Sequence, residues 1–235
     1  MSGWAAKRFW TAATAEACDG GFTIRLDGRP VKTPAKSALV VPSLAMADAI
    51  AAEWDAQQGK LRPDTMPLTC SANSAIDKVA PLRAEVIAEI SGYGGTDLLC
   101  YRAEAPERLI DRQAAHWDPL IDWATTTLRA PLTVTQGVIP VAQPQASLDR
   151  LQARVAACSN FELAALHDLV AISGSLVLGL AVAQARLSAE AAFDLSRLDN
   201  RWQAELWGED EEEAETEALR RAAFCLAHRF LELCR

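Results

Sequence analysis

A chain of 235 residues, half of them hydrophobic, has the material for one or two domains with a substantial core. The formal net charge is −8, but seven acids fall within residues 209–217, so the remainder of the chain carries only −1. No basic cluster is present, which argues against nucleic acid as a partner, since that binding rests on many Lys and Arg contacts to phosphate.

The opening MSGWAAKRFW has neither the apolar stretch of a secretory signal nor the Arg- and Ser-rich run of a transit peptide. The chain is therefore expected to be mature as encoded, in a bacterial cytoplasm. In GFTIRL, Phe22, Ile24 and Leu26 alternate with polar residues, the period of a half-buried strand. Asp27-Gly28 then signals a hairpin, RPVKT returns as a second strand with Pro30 at an edge, and ALVV reads as a third. Ser43 is placed to cap a helix with Leu44, Ala47, Ile50, Ala51 and Trp54 on one face.

The period changes from 2 to 3.6 near residue 68. This predicts an α+β protein: a small N-terminal domain (1–68) with an antiparallel sheet and a helix, then a mainly helical C-terminal domain (69–235). LTCSANSAIDKVAPLRAEVIAEISG reads as a helix interrupted near Pro81 and ended by Gly92. TDLLCYR fits a short strand or a helix start. APERLIDRQAAHWDPLIDWATTTL carries Leu109, Gln113, Trp117, Leu120 and Leu128 at helical spacing, with a kink or break expected at Pro119. Residues 130–145 form a Pro-punctuated connector with some strand character. Helical segments follow at about 147–157, 161–186, 188–206 and 213–233. The uncharged stretch 169–185 is short for a membrane span and is diluted by Gly and Ser, so it predicts a central core helix.

Catalytic patterns are missing. SGYGGTDLL lacks the lysine of a phosphate loop and follows a helix, so it reads as a helix end and turn. His116, His167 and His228 are scattered and belong to no metal or nucleophile motif, and Asp118 with Asp122 fits a solvated helix face. The six cysteines show no C-x-x-C spacing and are expected as reduced thiols. No cofactor or metal is implied.

The acidic run has two readings. Acids at a helix start complement its dipole by about 0.3–1 kcal/mol each, Glu217 can pair with Arg221, and Leu219, Ala222, Ala223, Leu226, Phe230 and Leu233 form an apolar stripe for that helix. One or two acids would suffice for that role. Seven, placed after Trp207-Gly208 at a corner between helices, also suit a surface that meets a partner.

Several stretches occur in an order that carries a resemblance: RFW, LDGRPVKTPAK, EWDAQ, MPLTCSANSAID, DLLCYRAEAPE, HWDPLIDWA, SGSLVLGLA and LSRLDNRWQAELWGEDEE. The chain resembles the assembly chaperones of the alpha subunit of the F-type ATP synthase catalytic head, over roughly residues 8–235. One departure is Cys70-Ser71 after MPLT, where that family implies a bulkier or basic pair. The resemblance implies a two-domain α+β fold, no enzymatic activity, no cofactor and transient binding of the unassembled alpha subunit by a chaperone that is monomeric when free. It also implies a functional acid three residues after the Trp-Gly dipeptide, here Glu211. The candidate partner-binding residues are therefore Trp207, Glu209, Asp210, Glu211, Glu212 and Glu213. The competing reading is a small-molecule enzyme with a cleft between its domains.

Overall fold

Alternation and turn chemistry shape the first elements of the chain. The computed structural model describes residues 7–208 and 210–235. Strand β2 (Gly21–Leu26) buries Ile24 and Leu26, as the alternation requires. It turns through Asp27 and Gly28, with φ of 48° and 82°, into β3 (Arg29–Pro30). Two successive positive φ values give a turn whose twist matches the paired strands, and Gly accepts that geometry without steric cost. β4 (Val40–Val41) pairs with the same edge of β2 as β3, so Pro30 lies at an edge as expected.

The sheet has one more strand than the sequence reading supplies. β1 (Ala13–Cys18) pairs antiparallel with all of β2 across a turn at Asp19-Gly20. Its ATAEAC is partly exposed and alternates only small alanines with Thr14 and Glu16, a weak signal. Helix α1 (Leu44–Asp55) packs on β1 and β2. Ser43 Oγ accepts from Met46 N at 3.0 Å, the expected cap. Met46, Ala47, Ile50 and Ala51 are buried, whereas Leu44, expected on that face, is exposed. Trp54 is partly buried, its ring 5.3 Å from that of Trp10.

Helix α2 (Pro67–Ser74) starts under the Glu53 carboxylate, which accepts from Leu68 N (2.7 Å), Thr69 N (2.8 Å) and Thr69 Oγ (2.7 Å). It widens into a π-turn at Ala75–Val79 and breaks before α3 (Arg83–Gly92), as Pro81 predicts. Two compact units result. One comprises residues up to Arg83 together with Ser159–Ala165 and Arg229–Arg235; the other comprises Ala84–Cys158 and Leu166–His228. The period change at residue 68 does not coincide with the limit of the first unit.

The second unit is mainly helical. A 3₁₀ turn at Leu98–Cys100 leads into β5 (Tyr101–Arg102), which pairs in parallel with β6 (Thr135–Gln136). Between them α4 (Glu107–Thr126) runs through Pro119 without the break that was one of the two outcomes expected there, and buries Leu109, Gln113, Trp117 and Leu120. Trp117 Nε1 donates to Leu195 O at 3.0 Å, satisfying the indole inside the core. Helix α5 (Gln145–Ala156) follows.

The single helix expected over 161–186 is two: α6 (Asn160–Ser173) and α7 (Leu176–Ala183), separated at Gly174 with φ of 69°. The core reading of that stretch still holds, since every residue from Leu176 to Val182 is buried. Among the described residues, no helix is long and apolar enough to cross a membrane. The N-terminus of α7 is fixed by Asp97, which is fully buried. Its carboxylate accepts from Ser175 Oγ (2.7 Å), Val177 N (2.9 Å) and Leu99 N (3.1 Å). Burial pushes this carboxyl up to about 6 against the pull of those hydrogen bonds. Gly94, in the glycine-rich stretch, lies against the core: a Cβ there would meet Leu151 at 3.2 Å.

The segment expected over 188–206 is also divided, at Arg197, into α8 (Ala189–Ser196) and α9 (Leu198–Trp207). The last helix, α10 (Glu211–Leu233), starts two residues earlier than expected. Its buried residues are Phe224, Ala227, Phe230 and Leu231, while Leu219, Ala222 and Ala223 of the expected stripe face solvent. The acids and the apolar corner therefore share one exposed helix surface.

Candidate partner-binding site

α9 ends at Trp207, and Gly208 (φ 89°) leads the chain toward α10. Asp210 opens that helix: its Oδ1 accepts from Glu213 N at 3.0 Å and its carbonyl from Ala214 N at 2.9 Å. That is an N-cap, so the helix-start reading holds for Asp210. Glu211, Glu212 and Glu213 fill the first turn, where the helix dipole favours negative charge.

The remaining acids divide into two groups. Glu213 Oε1 meets Asn200 Nδ2 at 3.3 Å and Arg197 Nη2 at 3.8 Å. Glu217 meets Arg197 Nε at 3.4 Å and Arg201 Nε at 3.9 Å. These two fasten α10 to α9. The expected Glu217–Arg221 pair gives way to another arrangement, in which Arg221 and Arg201 both contact Asp194. Burial alone would raise the Asp194 carboxyl, but the hydrogen bonds from the two guanidinium groups outweigh it and hold the carboxyl below its ordinary value. By contrast, Glu211, Glu212 and Glu215 are exposed and make no side-chain hydrogen bond or ion pair among the described residues.

Between α9 and α10 lies a groove of about 680 Å³ whose lining includes Trp207, Asp210, Glu213 and Arg201. Trp207 in its lining is 79% exposed, and Leu206 on α9 and Leu219 on α10, outside the lining, are 57% and 73% exposed. Of the expected site residues, Trp207, Asp210 and Glu213 line the groove, and Glu211 and Glu212 stand in the adjacent first turn. Glu209 lies outside the described residues. Arg197, Asn200 and Arg201 were not anticipated as part of this corner, although their i, i+3, i+4 spacing places them on one helix face.

The other candidates for chemistry lie in other settings. Asp118 pairs with Arg102 at 2.7 Å, and His167 lies 3.1 Å from Asp168, whose hydrogen bond raises the imidazole pKa. Cys18, Cys70, Cys100 and Cys225 are free thiols, and burial pushes Cys100 up to about 12. Among the described residues no group of three or more His, Cys, Asp or Glu is arranged to hold a metal ion.

A sequence profile of the family described as "ATP12 chaperone protein" matches residues 7–125. The chain belongs to the ATP12 chaperone family. These chaperones serve assembly of the ATP synthase. The crystal structure of Atp12 from Paracoccus denitrificans is 53% identical, with a TM-score of 0.95 over 98% of this chain and 99% of that one. A protein from Agrobacterium tumefaciens is 41% identical, with a TM-score of 0.90 over 97% of this chain and 86% of that one. The mitochondrial protein atp12 of Schizosaccharomyces pombe is 27% identical over 229 residues, covering 91% of this chain and 78% of that protein. The profile stops at residue 125, so the family match rests on the sheet and on the helices through α4. The acidic corner falls within the extent of the structural likeness.

Proposed function

We propose that this ATP12-family chaperone binds the unassembled alpha subunit of the F-type ATP synthase and holds it until the beta subunit takes its place. It acts by covering surface, without catalysis or cofactor, as a monomer when free and in a bacterial cytoplasm. A subunit awaiting its neighbours exposes a large interface, and apolar patches of that kind aggregate unless covered.

The observation that carries the site is the division of the acids. Glu213, Glu217 and Asp210 are used internally, whereas Glu211, Glu212 and Glu215 contact no cation among the described residues, and Trp207, which precedes them in the chain, is exposed. Tryptophan is enriched at the centres of binding energy in interfaces, and unpaired surface acids steer a basic partner within a Debye length of about 8–10 Å. On this reading Trp207, Glu211 and Glu212 touch the alpha subunit, and Asp210 and Glu213 hold the helix that presents them.

The test is co-expression with the alpha subunit alone, followed by pull-down, with thermal unfolding of the same Glu211→Lys protein. Because Glu211 is exposed, its reversal should alter stability by no more than about 0.5 kcal/mol. Binding should weaken by about 2 kcal/mol through an unpaired partner charge, and the loss should shrink at high salt. A destabilised variant whose folded fraction binds normally would return Glu211 to a purely helix-starting role.

A further inference from the structure

Arg112 on α4 shows how this chain holds a guanidinium group. Its centre lies 4.8 Å from the ring of Trp202 on α9. Its Nη1 donates to Glu205 Oε1 at 2.7 Å and its Nη2 to Glu205 Oε2 at 2.9 Å. Ring and carboxylate stand three positions apart on α9, so one planar group meets both. The ring takes its face, and the carboxylate takes its edge through two parallel hydrogen bonds.

The end of the same helix offers that pair of groups again. Trp207 is exposed, and three positions later comes Asp210; both line the groove between α9 and α10. Among the described residues the cations that lie over aromatic rings are Arg8, Arg102, Arg112 and Arg221, and none of them lies over Trp207. Asp210 spends Oδ1 on the helix cap, while its Oδ2 accepts no hydrogen bond among the described residues. Ala204, Gly208, Ala214 and Ala218 also line the groove, and their small size leaves width for an inserted side chain.

Charge selects what enters. The two cations of the lining, Arg201 and Arg221, both contact Asp194, and Arg197 serves Glu213 and Glu217. Glu205 is held by Arg112. The charges of this network balance, and Asp210, Glu211, Glu212 and Glu215 stand over as net negative charge beside the groove. An anionic or neutral group gains nothing from that field, and a second copy of this chain would bring the same excess to the same corner. A cation is drawn in. Between the two cationic side chains, arginine fits: its flat, weakly hydrated guanidinium stacks on an indole and still presents donors at its edge, whereas an ammonium is a compact and strongly hydrated point charge.

We propose that this groove receives an arginine side chain of the unassembled alpha subunit, its guanidinium face against Trp207 and its edge toward Asp210 Oδ2. The proposal rests on the chaperone reading above and names the chemistry that the client brings to the same corner.

The test compares wild type, Trp207→Leu and Trp207→Phe in full-length protein co-expressed with the alpha subunit. The readouts are pull-down affinity, release of the captured subunit by arginine amide against lysine amide at equal ionic strength, thermal unfolding, and sedimentation of the free chaperone. Trp207→Leu keeps an apolar side chain but has no ring, so it should bind about 10-fold more weakly. Its melting temperature should match wild type, because the ring it replaces is exposed. Trp207→Phe should keep most of the affinity. Arginine amide should release the subunit from wild type at a lower concentration than lysine amide does. Undiminished binding by Trp207→Leu, while wild type captures the alpha subunit, would overturn the proposal and leave the chaperone reading intact. Equal release by the two amides would reduce the contact to charge alone and overturn the assignment of arginine. A lower melting temperature that accounts for the lost binding would make Trp207 structural and overturn it. So would a wild-type dimer that Trp207→Leu converts to monomer. Capture of no alpha subunit by wild type would remove the chaperone reading and this contact together.

Discussion

Replacing Asp97 by Asn should remove a pH-dependent part of the protein's stability while leaving the fold in place. Asp97 is fully buried, and its carboxylate accepts from Ser175 Oγ, Val177 N and Leu99 N. Burial raises its pKa from the ordinary 3.8 to about 6. A carboxyl with a higher pKa in the folded than in the unfolded chain takes up protons on folding between those two values. Stability therefore rises as pH falls through about 6 and is lost again as pH climbs back. Between pH 7 and pH 5 the gain is about 1 kcal/mol. His167 acts in the same direction over a neighbouring range, because its hydrogen bond to Asp168 raises its pKa. The diagnostic quantity is thus the difference between wild type and Asp97→Asn in urea unfolding, measured at both pH values. Asn keeps the shape and one acceptor but cannot ionise, so the variant should lose the increment that belongs to Asp97. Asp97→Ala should cost about 3 kcal/mol or more at either pH, because three buried donors are left without an acceptor at about 1–3 kcal/mol each. If the gap between wild type and Asp97→Asn is the same at pH 5 and pH 7, the carboxyl does not titrate in this range and the reasoning is wrong.

Three further changes probe the frame that holds the site. Gly21→Ala should lower stability by about 3 kcal/mol or more in thermal unfolding: Gly21 has φ of 150°, and a Cβ there would sit 2.4 Å from Val41 O. Ser43→Ala should cost about 1 kcal/mol in urea, since it removes the α1 cap and the hydrogen bond from Ser43 Oγ to Leu233 O. A double-mutant cycle on Arg197 and Glu217 should give a coupling of about 0.5–1 kcal/mol, and the same cycle on Arg197 and Glu212 a coupling near zero, because Glu217 touches the guanidinium and Glu212 does not.

The sequence shows the fold where one local rule dominates. Asp27-Gly28 marks its hairpin because that turn needs two positive φ values, and Ser43 marks its helix because a hydroxyl can cap it. β1 escapes notice because the apolar residues that alternate in ATAEAC are small alanines of low β-propensity, although Asp19-Gly20 stands at its turn. The division of 161–186 at Gly174 is hidden for a related reason. A helix buried on every side has no apolar face, so periodicity runs on through the break, and Ser173-Gly174-Ser175 is the only local sign of it. α10 fails in the opposite sense: its stripe is genuine, but the half around Leu219 is left uncovered. The ion pairs of the corner join Arg197 to Glu213 and Glu217, and Arg201 to Glu217, residues 16–20 positions apart in the chain. Helical spacing within a single segment favours Glu217 with Arg221 instead. Only the packing of α9 beside α10 decides between those partners.

That packing also explains why so many acids occupy one corner. A helix start needs a cap, which Asp210 provides, and Glu213 and Glu217 pair with the guanidinium groups of Arg197 and Arg201. Glu211 and Glu212 gain from the helix dipole, but with Glu215 they add mutual repulsion and meet no cation among the described residues. On the proposed reading the offset comes from the client. Charges at an exposed rim accelerate encounter and discriminate between partners more than they deepen affinity. A chaperone that must find its subunit quickly and then yield it to the true neighbour is better served by such contacts than by a large buried interface. Trp207 then supplies the part of the binding that salt does not weaken.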